Sequence, residues 1–110
     1  MSVTVNIYYS GVNGNARRFA EEMVSSGVVS DIRAEPGNLR YEYFFPMDDP
    51  ETVLLIDIWK DSQSIDLHHA SPMMGKIAAL REKYDLHMTV ERYVPDGDAD
   101  PLAGRCFIRE

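Results

Sequence analysis

Two adjacent histidines, His68 and His69, are the residues of this 110-residue sequence best suited to move a proton at neutral pH, because an unperturbed imidazole titrates near about 6.5. They close a stretch, Ser62 to His69, patterned as a helix, so their side chains point about 100° apart and are poorly placed to ligate one metal together. His68 lies three residues after Ile65 and shares its apolar face, within reach of a buried cavity, whereas His69 belongs at the surface or on a rim. A single histidine in such a place is first of all a hydrogen-bonded structural residue. With three histidines and one cysteine, Cys106, there is no zinc spacing and no internal disulfide.

Tyr8 to Asn15 (YYSGVNGN) stands between a strand and a helix and invites comparison with the hydroxyl-rich loops that hold flavin phosphate. That architecture repeats strand and helix along the whole chain, and here a hairpin follows residue 38, so an ordinary turn fits better. No G-x-G-x-x-G or Walker pattern is present. Trp59, the only tryptophan, shares a strand face with Leu55 and Asp57, where a tryptophan is usually core, and Tyr41, Tyr43, Phe44 and Phe45 read as packing.

The elements that must position these side chains follow from periodicity. Val3 to Tyr9 is β-branched and aromatic and stops at Ser10-Gly11, which marks a strand entering a turn. Ala16, Phe19, Ala20, Met23 and Val24 recur at helical spacing, with Asn15 as the expected cap. Gly27 interrupts this helix, a further turn or two runs to Ala34, and Pro36-Gly37 ends the region. Asn38 to Phe45 and Thr52 to Lys60 form a hairpin around the acidic loop 46–50, and Pro72 restarts the helix that carries Met73, Ile77, Leu80 and Tyr84. Leu86 to Val94 is the fourth strand. Strand, helix, strand, strand, helix, strand is the α+β, ferredoxin-like split β-α-β order, an antiparallel sheet with helices on one face.

Both faces of the third strand are apolar, Leu54, Ile56 and Ile58 on one side and Val53, Leu55 and Trp59 on the other. Helices cover one face, and a second copy of the chain is the expected cover for the other, giving a homodimer. We take residues 1–95 as the domain and 96–110 as a C-terminal tail whose apolar end, Cys106 to Ile108, contacts the partner subunit. The formal charge of −7 is the wrong sign for nucleic acid or an anionic membrane surface. No stretch has the length of a membrane span or the basic start of a signal peptide, so a cytoplasmic protein is expected.

The succession resembles the antibiotic biosynthesis monooxygenase domain family, whose members include quinol monooxygenases. The matching pieces are Arg33 to Glu42 (RAEPGNLRYE), Ile56 to Asp61 (IDIWKD) and Leu67 to Met73 (LHHASPM), within a likeness that covers residues 3–94. The resemblance implies a dimeric α/β barrel-type assembly that oxidises phenols, quinols or polyketide-like aromatics with molecular oxygen and with no flavin or metal. It implies three site residues: His68 as base or substrate hydrogen-bond partner, Asn6 as a polar anchor for substrate or oxygen, and Trp59 as a stacking wall. The second histidine of the family's H-x-x-S/T-P-H segment is Met73 here, and haem-degrading relatives carry their ligating histidine near Ala78, so haem is not expected. The same pieces also resemble an isomerase of a phosphorylated autoinducer sugar, and a third reading is a non-catalytic small-ligand binder.

Overall fold

A computed structural model describes residues 1–97 and 104–109 of the chain. Eight elements follow one another in the expected order: β1 (Val3–Ser10), α1 (Asn15–Ser25), α2 (Val28–Arg33), β2 (Asn38–Phe44), β3 (Thr52–Trp59), α3 (Ser62–His69), α4 (Met73–Lys83) and β4 (His87–Tyr93). The strands form one antiparallel sheet in the order β2-β3-β1-β4, which is the ferredoxin-like arrangement. None of the described helices is long and apolar enough to cross a membrane.

Register decides which side chains share a face. Val3 stands opposite Trp59, Val5 opposite Asp57, Ile7 opposite Leu55 and Tyr9 opposite Val53, while β2 brings Tyr41 beside Asp57 and Tyr43 beside Leu55. The helices bury this face with Ala16, Phe19, Ala20 and Met23 of α1, Val28, Val29 and Ile32 of α2, Ile65 of α3 and Ile77 of α4. The intervening residues Asn6, Leu54, Ile56, Ile58 and Phe44 point to the bare face and are only half-buried. Strand β4 is an edge whose every residue is exposed.

Asn15 is not the cap of α1. Gly14, at φ 77°, takes the cap position and Asn15 opens the helix, its Nδ2 donating to the Tyr84 carbonyl at 3.2 Å. The Glu51 carboxylate accepts from the Gly14 N–H at 3.2 Å, so the helix start where a phosphate would sit already holds an anion of the chain itself. At the other end of the domain, the Asp61 carboxylate caps α3, accepting from the Ser64 N–H at 2.8 Å and the Ser64 hydroxyl at 2.7 Å. These bonds hold its pKa below the ordinary value.

Gly37 has φ 87°, and a Cβ there would collide with the Ser64 side chain. Glycine is therefore required twice over, for the left-handed turn and for the close approach to α3. The Lys60 N–H donates to the Gly37 carbonyl at 2.9 Å, and Arg33 grips the Tyr41 carbonyl through Nε at 2.9 Å and Nη2 at 2.7 Å. Together these contacts fix the short connection 34–37 between α2 and β2 against the start of α3.

Of the expected tail, residues 98–103 and 110 lie outside the described residues. Arg105–Phe107 forms a single 3-10 turn, with Phe107 88% and Ile108 65% exposed.

Candidate active site

The 34–37 connection presents Glu35 to α3, and His68 Nδ1 lies 2.6 Å from Glu35 Oε2. An ionised carboxylate only accepts, so Nδ1 carries the proton and donates it to Glu35, leaving Nε2 with its lone pair. Burial lowers the His68 pKa below its usual value, and the neighbouring Glu35 charge opposes that shift without cancelling it. Burial thus favours the neutral imidazole, and the Glu35 contact favours the tautomer that leaves Nε2 free to accept a proton. No hydrogen bond to Nε2 occurs among the described residues.

The face of the His68 ring stacks on the Trp59 indole, centroids 4.7 Å apart and planes inclined by 28°. Trp59 Nε1 in turn donates to Asp57 Oδ1 at 2.7 Å. Asp57, 6% exposed, is buried on the sheet, and desolvation raises its pKa from 3.8 to about 6 against the lowering effect of the tryptophan bond. Glu35, His68, Trp59 and Asp57 thus form a continuous line of contacts from α2–β2 across α3 to β3. Tyr41 meets the His68 ring at 6.5 Å, edge to face.

His68, Trp59 and Asp57 of this line border a cavity of about 270 Å³ between the sheet, α3, α4 and β4. Its walls are mostly apolar, with Val5, Ile7, Ile65, Met74, Ile77 and Val90 among them. It stays open because β4 runs past the helices: Val90 lines the cavity yet is 55% exposed. Tyr9 also lines it, its hydroxyl pushed up to about 12 by burial, with the Arg81 charge pulling down and Asp57 pushing up.

The expected site residues fare differently. His68 is at the cavity, as its position after Ile65 requires, and His69 stands exposed on the rim of the same cavity. Trp59 lines the cavity, but the ring it stacks on is the histidine of its own chain, so it positions His68 and Asp57 as well as walling the pocket. Asn6 does not join them. It pairs with Ile56 and Glu91 across the sheet and points to the bare face, because the two-residue period of β1 sends Val5 and Ile7 to the cavity and Asn6 away from it. Met73, in place of the family's second histidine, opens α4 half-buried against the core.

Two members of the site were missed. Asp57 had a legible signal, an acid at an inward position between Leu55 and Trp59. Glu35 had none beyond its place in the Arg33 to Glu42 segment, since it meets His68 only across 33 residues of chain. Among the described residues no group of three or more His, Cys, Asp and Glu side chains is arranged to hold a metal.

A ferredoxin-like α+β domain with a carboxylate-braced histidine in an apolar cavity defines a small class of proteins, and sequence comparison says which one. The chain belongs to the antibiotic biosynthesis monooxygenase family, whose model matches residues 2–80. No curated protein matches the sequence. Among solved structures, a candidate antibiotic biosynthesis monooxygenase from Deinococcus radiodurans is similar at TM-score 0.75 and 18% identity, covering 93% of this chain and 99% of that one. Rv0793 from Mycobacterium tuberculosis is similar at TM-score 0.72 and 20% identity, over 91% of this chain and 100% of the other. A variant of SnoaB, a cofactor-independent oxygenase from Streptomyces nogalater, is similar at TM-score 0.72 and 15% identity, over 91% and 97%. At these identities the likenesses speak for the fold.

Proposed function

We propose that the chain is a cofactor-independent monooxygenase of small phenols or quinols, with His68 as the base. The observation that carries this reading is that His68, on the border of an apolar cavity, is held from behind by Glu35 at 2.6 Å. His68 Nε2 accepts the proton of a ring hydroxyl, and the resulting anion is electron-rich enough to give an electron to oxygen. Recombination of the two radicals forms a carbon–oxygen bond, and loss of water leaves a carbonyl. For a naphthohydroquinone the balance is quinol plus O₂ giving hydroxynaphthoquinone plus water, with no external reductant. The protein's part is to orient the ring, hold the proton and exclude water.

Two copies of the chain join through the bare face of the sheet in this reading. Half-buried Leu54, Ile56, Ile58 and Phe44 support it, as does the exposed end of the tail at Phe107 and Ile108.

The test is oxygen uptake with 1,4-dihydroxynaphthalene and related quinols, using ¹⁸O₂. The expected product is hydroxynaphthoquinone carrying one labelled atom, formed well above the rate of autoxidation and without peroxide. Uptake no faster than autoxidation across a panel of quinols would overturn the proposal.

A further inference from the structure

Asp57 is the only buried carboxylate among the described residues, and the function proposed above gives it no step. It stands between Val5 and Tyr41 in register, and its fellow inward residues on β3 are Val53, Leu55 and Trp59. An exposed acid needs no partner, but a buried one is ordinarily paired with a cation or hydrogen-bonded at both oxygens. Asp57 is neither. Its Oδ1 accepts from Trp59 Nε1 at 2.7 Å, no ion pair or hydrogen bond reaches Oδ2 among the described residues, and the residue borders the cavity. An asparagine oxygen would accept from the indole as well and escape the desolvation that a carboxylate suffers there. The charge is therefore surplus to the fold. Trp59 also ties it to the base, because His68 stacks on the indole face at 4.7 Å while Asp57 meets its N–H edge.

We propose that Asp57 is a second catalytic base, which takes the carbon-bound proton that must leave before the new carbonyl can form. This deepens the function proposed above and rests on it. With 1,4-dihydroxynaphthalene, the adduct formed when oxygen bonds to the ring carries a hydroperoxide and one hydrogen on the same carbon, His68 having passed its proton to the outer oxygen. Asp57 Oδ2 removes that hydrogen as a proton. The C–H electron pair becomes the second bond of the carbonyl, the O–O bond breaks, and the departing hydroxide takes the proton from Asp57 to leave as water. The carbon is oxidised and the peroxide reduced, so O₂ is the only oxidant. Without a base at that point the adduct has another exit, in which the C–O bond breaks, the remaining hydroxyl gives up its proton, and naphthoquinone and hydrogen peroxide leave.

The test is product partition in the full chain with 1,4-dihydroxynaphthalene and O₂, corrected for autoxidation, reading hydroxynaphthoquinone by chromatography and peroxide by a peroxidase assay. In Asp57→Asn, checked for an intact melting curve, hydroxynaphthoquinone formation should fall about 10²–10⁴-fold. Oxygen uptake should fall far less, the difference appearing as peroxide and naphthoquinone. The parent chain gives a second measurement that needs no variant at Asp57: protonation disables the base, so the peroxide share should rise as pH falls through about 6. Of the groups around it, Tyr9, Tyr41 and Tyr43 are raised by burial and Arg81 and Arg92 stay charged, while His68 sets the total rate and not the share. The same rise in His69→Ala excludes the rim histidine. A folded Asp57→Asn that makes hydroxynaphthoquinone within a few-fold of the parent, or that loses uptake and product equally with no peroxide, would overturn the proposal. So would a peroxide share in the parent that stays flat across this pH range. Oxygen uptake no faster than autoxidation in the parent would overturn the monooxygenase reading and this proposal with it.

Discussion

Strand β3 sends similar residues to both sides of the sheet and they meet different fates. Leu55, Asp57 and Trp59 are buried beneath the helices, whereas Leu54, Ile56 and Ile58 on the opposite face stay half-buried. The difference lies in the cover. Under α3 and α4 water is thinned enough to raise Asp57 and lower His68, two shifts in opposite directions that both favour the neutral form. On the bare face no such shift arises, and the proposed use of the same hydropathy is contact with a second copy. In the proposed reading, an apolar strand face becomes a site or an interface according to what lies above it.

Breaking the covered face should give the largest effect. His68→Ala is expected to lose about 10²–10⁴-fold in turnover, the usual range for a general base, with the assembly unchanged. His69→Ala, on the rim, should cost far less. Because burial lowers His68, turnover should rise with pH and level off below about 6.5, the ordinary histidine value. A rate profile that keeps climbing to pH 9, or equal losses for the two histidines, would assign the base elsewhere.

The bare face should break in the complementary way. Ile56→Asp places a charge in the middle of the proposed contact, where burial without a partner is strongly unfavourable. Light scattering should show the mass halve from dimer to monomer, with the monomer retaining its helix and strand content. Wild-type chain that is already monomeric at micromolar concentration would remove the interface.

The contrast between faces also explains what could be read in advance. Alternation in β3 and the spacing of Ala16, Phe19, Ala20 and Met23 are local patterns, so strand order, helix positions and the two-sided apolar strand were legible. His68 was placed correctly because Ile65 marks the inward face of the same helix. Glu35 was not, since its encounter with His68 depends on Gly37 packing against Ser64 and on Arg33 gripping the Tyr41 carbonyl, contacts between distant segments. Asn6 was assigned by resemblance, whereas its strand parity sets it on the face away from the cavity. Asn15 was a sound capping choice by residue type, but the left-handed Gly14 takes that position.

A smaller effect separates Asp57 from the bulk of the fold. Its pKa is raised from 3.8 to about 6 by burial, so the folded state holds the proton more tightly than the unfolded chain does. That contribution is complete below about pH 3.8 and is lost as pH rises through about 6, a cost at neutral pH of at most about 3 kcal/mol. Asp57→Asn keeps the shape and an acceptor for Trp59 Nε1 while removing the charge. Its melting temperature should exceed that of the parent above pH 6, and the difference should vanish toward pH 4. A variant less stable than the parent at pH 8 would mean the carboxylate is better solvated than its burial implies.

The smallest expected effect tests the comparison most directly, because it concerns an asparagine one position away from the cavity in sequence. Asn6 Oδ1 is buried without a hydrogen-bond partner on the bare face, next to Ile56 in register. A buried oxygen with no partner contributes no bond to lose, so its removal should leave stability unchanged or slightly improved. Val5 and Ile7, its neighbours in sequence, line the cavity from the other side of the strand. Asn6→Ala should therefore turn over substrate within about twofold of the parent, well short of the 10²-fold lower bound for a general base, and melt at or slightly above the parent temperature. A large loss of turnover in the intact dimer would show that the bare face reaches the chemistry, and the division of labour between the two faces would fail.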